Sequence, residues 1–266
     1  MTHSIDHASP AAARPAPSPE PSPDDGSPLG VSQEATGAHA PASTHEATSK
    51  GTSGASPVGF RMFSHFNAPE LRRLAGITAR IDRRALEYFP GDSLQERLVR
   101  ALAHRNALPF KEVLESFEFF ARTRRGVRAP HMADLCCGHG LTGLLFALFE
   151  RQVERVVLLD QRRPQSYDRV LEAVAEVGPW VPDKVTYLEQ RMFHVRHQLE
   201  PGTAVIAVHA CGQRTDRSLE TAIALGGNVA VMPCCYTRSS TGAPAVVIAH
   251  IGAGLACDID RTYRLE

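Results

Sequence analysis

At 266 residues, with 29 Lys+Arg balanced by 29 Asp+Glu, the chain has room for one large domain or two small ones and carries no net charge. It has no uncharged apolar stretch of roughly 18 residues and no apolar run like the core of a secretory signal; a membrane span and export are therefore not expected, and a cytoplasmic protein is. Six cysteines fall at 136, 137, 211, 234, 235 and 257, so with no export signal the expectation is reduced thiols rather than a disulfide framework.

Residues 1–57 hold nine of the nineteen prolines, no aromatic residue, one Lys and one Arg. Such a composition cannot bury enough apolar surface to offset its ordering entropy, so a disordered Pro/Ala/Ser-rich arm is expected there. Its early acids, Asp6, Glu20, Asp24 and Asp25, fit a mitochondrial presequence poorly.

Residues 58–128 carry fourteen Lys/Arg against eight Asp/Glu, with arginine pairs at 72–73, 83–84 and 124–125. Arginine forks suit phosphate, so these residues are candidates for contact with RNA, although solvated helix faces with ion pairs explain the same composition. Leu71, Leu74, Ala75, Ile77, Thr78 and Ile81 recur at helical spacing, with Asn67 and Pro69 at the start. Pro90-Gly91-Asp92 ends that element, and Asp92 or Ser93 caps the next, through Leu94, Leu98, Val99 and Leu102. Pro109 opens a third helix with Val113, Leu114, Phe117 and Phe120 on its apolar side. The reading is a small, arginine-rich helical subdomain.

From residue 129 to 266 strand and helix alternate. The expected strands are Met132–Leu135, Val156–Asp160, Lys184–Leu188, Ala204–His209 and Asn228–Met232. Helices are expected at Leu141–Arg151, Pro164–Val177, Met192–Leu199, Asp216–Leu225 and Cys257–Leu265, with 244–252 ambiguous. Five strands with helical crossovers imply an α/β fold with a Rossmann-like, doubly wound parallel sheet.

The first strand runs into Asp134-Leu135-Cys136-Cys137-Gly138-His139-Gly140, an acid followed by a small-residue turn at the mouth of a helix. In such a sheet this turn is where a cofactor meets the backbone. Asp160 ends the second strand twenty residues after Gly140, placed to bind both hydroxyls of a ribose. Gly138, Gly140 and Gly143 also carry the Gly-x-Gly-x-x-Gly spacing of dinucleotide loops, but the acid at the head of the turn argues against a nicotinamide cofactor.

This turn resembles the D/E-x-G-x-G-x-G loop of class I S-adenosylmethionine-dependent methyltransferases, with Cys136 in place of the first glycine. The segments His209-Ala210-Cys211-Gly212 through Thr215-Asp216, and Cys234-Cys235-Tyr236, resemble a methyltransferase-like family with H-x-C-G and C-C-Y motifs. That family is related to tRNA 2′-O-methyltransferases with K-H-L-C-G-x-A-T-D and C-C-H-H; here Val208, Arg214 and Tyr236-Thr237 depart from the tRNA-enzyme pattern. The resemblance implies S-adenosylmethionine as cofactor, bound by Asp134, Cys136, Gly138, Gly140 and Asp160. It places Cys211, Cys234, Cys235 and Tyr236 at the substrate side. It also implies a closing C-terminal hairpin, which residues 129–266 lack.

Methyl transfer is an in-line displacement, so a base is needed only where the acceptor must lose a proton early. His209 is the expected base, with Asp216 as second choice. RNA, whether tRNA or rRNA, is the leading acceptor, protein the next and a small molecule the third. A non-catalytic S-adenosylmethionine- or RNA-binding protein and a nicotinamide-dependent oxidoreductase are the alternatives. A zinc or iron–sulfur site among the cysteines is chemically possible, but none is expected. The sequence has no Cys-x-x-Cys, and adjacent strand cysteines point to opposite faces.

Overall fold

Period-2 alternation of apolar residues builds the centre of the molecule. Strands β1 (His131–Leu135), β2 (Arg155–Asp160), β3 (Val185–Glu189), β4 (Ala204–Val208) and β5 (Val229–Met232) form one sheet in the order β3-β2-β1-β4-β5. All neighbouring pairs are parallel. Met132, Val156, Leu158, Ala204 and Ile206 belong to the core on one face. Ala133, Leu135, Val157, Leu159, Val205 and Ala207 belong to the core on the other. Burial on both faces is why these strands read as nearly continuous β-branched and leucine runs. The computed structural model describes residues 59–236 and 242–265, so the N-terminal arm expected at 1–57 lies outside the described residues.

Helices α4 (Leu141–Phe149) and α5 (Gln165–Val177) cross over between strands, and both bury residues in the first core. Helix α6 (Gln213–Leu225) and the 3₁₀ segment Met192–Gln198 supply Ala222, Leu225 and Val195 to the second. Two further helices, α7 (Ala245–Ile251) and α8 (Ala253–Leu265), follow β5, which resolves the ambiguous stretch as helix. No helix of the described residues is long and apolar enough to cross a membrane.

The N-terminal helices differ from expectation in two ways. The helix expected over Leu71–Ile81 is reduced to one turn, α1 (Pro69–Arg72), and a 3₁₀ turn at Leu74–Gly76, before the chain extends at Ile77. The extended carbonyls serve the next element: Ile77 O accepts from the N–H of Lys111 at 3.0 Å and Ala79 O from that of Phe110 at 2.9 Å. These are donors at the start of α3 (Phe110–Val127), which has no side-chain cap. Satisfying them outweighs the helical periodicity of a short segment. By contrast α2 (Leu94–His104) starts as the sequence implies. Ser93 Oγ accepts from the Glu96 N–H, and the Glu96 carboxylate accepts from Ser93 Oγ and the Gly91 N–H, a reciprocal cap.

The second difference concerns the helical subdomain expected at 58–128, which has no core of its own. Phe63, Phe66, Phe89, Leu98, Phe117 and Phe120 lie in the same buried cluster as Met132, Phe146 and Leu158 of the sheet layer. The Phe120 ring sits 5.0 Å from that of Phe146 in α4 and 5.4 Å from that of Phe149. The described residues therefore form one compact unit.

Candidate active site

The strand order reverses direction at β1, where β2 lies on one side and β4 on the other. At such a switch point the loops leaving adjacent strands part and open a crevice at the carboxyl edge. Two hollows of about 170 and 200 Å³ lie there. The first is lined by Asp134, Cys136, Cys137, Gly138, His139 and Thr142 of the β1–α4 region, Val208 at the end of β4 and His209 after it, and Glu112 and Ser116 of α3. The second is lined by Cys136, Asp160, Gln190, Arg191, Met192, Phe193, Arg214 and Arg217, among others. Cys136 borders both.

The two expected acids are held by the turn itself. Asp134 Oδ2 accepts the N–H of Gly143 at 2.9 Å, and Asp160 Oδ2 accepts the N–H of Gly138 at 2.9 Å. Asp134 is buried, and burial raises its carboxyl to about 7 against the opposing pull of the Gly143 hydrogen bond, with the charge of Asp160 adding to the rise. Gly138 and Gly140 take the left-handed backbone, at φ +50° and +71°. Cys136 does so as well, at φ +58°, which explains why the loop it resembles has a glycine there. Its sulfur lies 3.2 Å from that of Met192. Burial pushes its thiol up to about 11, so it is a neutral wall of the site rather than a nucleophile.

His209 follows β4 directly, in the same left-handed conformation at φ +60°, and its Nε2 lies 3.1 Å from Glu115 Oε2. That hydrogen bond raises the imidazole above its usual value, outweighing burial. Glu115 is pushed up by burial, but His209 and Lys111 outweigh this and hold it below its usual value. A second pair has the same form: His139 Nε2 is 3.4 Å from Glu112, whose carboxyl is held down chiefly by that histidine. Replacing Glu115 with Gln is therefore expected to lower the His209 titration midpoint in an NMR pH series. An unmoved midpoint would show that the pair does not control the imidazole.

Glu112, Glu115 and Ser116 were not expected at the site. They share one stripe of α3, and the sequence signal is a pair of carboxylates three residues apart on a helix otherwise rich in arginine. Arg191 and Arg217 were also not anticipated. The Arg217 guanidinium stacks 4.0 Å from the centre of the Phe193 ring.

Three expectations need correction. Asp216, the second-choice base, is an anchor between helices: it accepts from Arg261 Nε at 2.8 Å, and Arg264 lies 3.6 Å away. Arg261 is only 4% exposed, so loss of this partner leaves a buried cation with Asp258 alone, 3.5 Å away. Asp216→Asn is expected to cost about 1–3 kcal/mol in denaturant unfolding, with cofactor affinity unchanged at low temperature. A loss of affinity without loss of stability would restore Asp216 to the site. Second, Cys211, Cys234 and Cys235 gather with one another at the same edge, and the Tyr236 hydroxyl is engaged, donating to Asp258 at 3.1 Å. Third, Cys234 and Cys235 do not point apart. The strand ends at Met232, Pro233 leads the chain out of it, and both sulfurs gather near Cys211.

A family model described as a methyltransferase domain matches residues 110–241, beginning at the first residue of α3. No curated protein matches the chain. The match and the five-stranded parallel sheet flanked by helices together support a methyltransferase of Rossmann-like α/β fold.

Proposed function

We propose that this methyltransferase domain takes S-adenosylmethionine in the two neighbouring hollows and methylates RNA. The observation that carries the cofactor assignment is the pair of acids at the ends of adjacent strands β1 and β2. Each is anchored by a glycine N–H of the loop between them or of the helix it feeds. The donor set fits the group. Asp134 offers a carboxylate to an ammonium in a buried site, and Asp160 offers lone pairs to vicinal hydroxyls. When bound, S-adenosylmethionine supplies a methyl group on a cationic sulfur. The chain's task is to hold donor and acceptor in line and to exclude water.

An RNA hydroxyl would also have to lose its proton. His209 borders the first hollow, and with Nε2 engaged by Glu115 its Nδ1 remains to accept one. Because Glu115 raises the imidazole, the neutral, accepting form is present only on the alkaline side of that raised value.

The RNA assignment rests on arginine. Arg84, Arg105, Arg124 and Arg128 are in ion pairs with Asp or Glu. Arg61, Arg72, Arg73, Arg83 and Arg125 are exposed on the same segment, and Arg191, Arg214 and Arg217 rim the second hollow. Binding to transfer or ribosomal RNA is expected to weaken steeply with salt, and Arg72→Ala/Arg73→Ala to reduce the log–log slope by roughly two. A flat salt response would remove RNA as the acceptor.

A further inference from the structure

Outside the two hollows, at the same edge of the sheet, three sulfurs converge from two loops. Cys211 leaves β4 on the way to α6, and Cys234 and Cys235 follow β5. The sulfurs of Cys211 and Cys234 are 2.7 Å apart, those of Cys234 and Cys235 are 3.5 Å apart, and all three lie within 4.8 Å of one another. We propose that Cys211, Cys234 and Cys235 bind one zinc ion as a three-thiolate site with a fourth position left for a solvent or substrate ligand.

Several independent features support this. The backbone around Cys211 is turned twice into the left-handed region, at His209 (φ +60°) and Gly212 (φ +65°), and the Cys211 N–H donates to His209 O at 2.9 Å. Such a conformation is costly for histidine and persists only where the surroundings fix it. Across the gap, the φ of Pro233 is fixed by its ring immediately before the cysteine pair. The two segments thus hold three sulfurs together at one edge of the sheet.

Zinc fits the spacing. Tetrahedral zinc at about 2.3 Å from each sulfur separates the sulfurs by roughly 3.8 Å. The Cys234–Cys235 distance is close to that value. The Cys211–Cys234 pair must open by about 1 Å, within reach of side-chain rotation because Cys234 is exposed. Zinc also binds thiolates without any change of oxidation state, so no further reactant is needed. On binding, the thiol protons leave to solvent, and affinity rises with pH.

The test uses the full chain, purified under reducing conditions and treated with chelator, then supplied with equimolar Zn2+. Elemental analysis after gel filtration is expected to find one zinc per chain. Alkylation mapped by mass spectrometry should show Cys211, Cys234 and Cys235 slowed by roughly tenfold or more, and Cys136 and Cys257 unaffected. Cobalt(II) in place of zinc should give a thiolate charge-transfer band that C211S and C234S lose and C257A keeps. The wild-type alkylation map remains decisive if a variant fails to fold. A chain that stays metal-free, a chain in which Zn2+ protects other cysteines, or a Cys211–Cys234 disulfide recovered under the same reducing conditions would each overturn the proposal. S-adenosylmethionine takes no part in these measurements, so failure of the cofactor assignment would leave the result unchanged.

Discussion

Asp134→Asn is expected to abolish S-adenosylmethionine binding and at the same time to raise the stability of the ligand-free protein at pH 8. The side chain is almost fully buried, and burial pushes its carboxyl up from 3.8 to about 7. A carboxyl raised in the folded state favours the protonated form. Its full contribution to stability is present below the unfolded value of about 4 and is lost as pH rises through about 7. At pH 8 the wild-type chain therefore carries an ionised group that burial disfavours, at a cost on the order of 4 kcal/mol. Asparagine removes that charge and keeps an oxygen for the Gly143 N–H. The same titration governs binding by the wild type. A cationic ammonium selects the ionised carboxylate, so affinity should fall about tenfold for each pH unit below 7. Binding that is flat from pH 5 to 8, or a variant less stable than wild type at pH 8, would contradict this role.

Phe120→Ala is expected to cost about 3–5 kcal/mol, the amount typical of deleting a fully buried phenyl group. Phe120 has no exposed surface, and its ring packs between Phe146 and Phe149 of α4 and under the guanidinium of Arg124. The substitution leaves a cavity at the seam between α3 and the sheet layer. Since one core spans that seam, the whole unit should lose its stability in a single denaturant transition at a lower midpoint. Cofactor affinity should weaken too, because α3 carries Glu112 and Ser116 into the wall of the first hollow. Two separate transitions, with the sheet's midpoint unmoved, would show that the N-terminal helices fold as a subdomain after all.

The parallel sheet was legible because its signals are local. Strands buried on both faces have to be runs such as Arg155–Asp160, and a sheet of that kind places its loop acids at one edge. Asp134 and Asp160 could be read for the same reason, as strand ends fixed by their own turns. Cys136 was recognised as standing at a glycine position, and its positive φ explains what that position demands. The misreadings share the opposite cause. Ile77 to Ile81 has helical spacing, but its carbonyls are taken by the start of α3, thirty residues later in the chain. Asp216 looked free until Arg261, 45 residues on, claimed it. Glu112 and Glu115 have the charge of any solvated helix face, and only the packing of α3 over the loops after β1 and β4 turns them toward histidines. The convergence of Cys234 and Cys235 follows from β5 ending at Met232: past Pro233 the alternation of a strand no longer sets which way the side chains point.

The central claim is that the neighbouring hollows at the carboxyl edge of β1 and β2 are an S-adenosylmethionine site. Isothermal titration of the full chain at pH 8 tests it most directly. The structure leads to saturable binding of one S-adenosylmethionine per chain, with a Kd on the order of micromolar, competed by its homocysteine product and absent in Asp134→Asn. No heat with S-adenosylmethionine, or tight binding of NAD or NADP in its place, would contradict it.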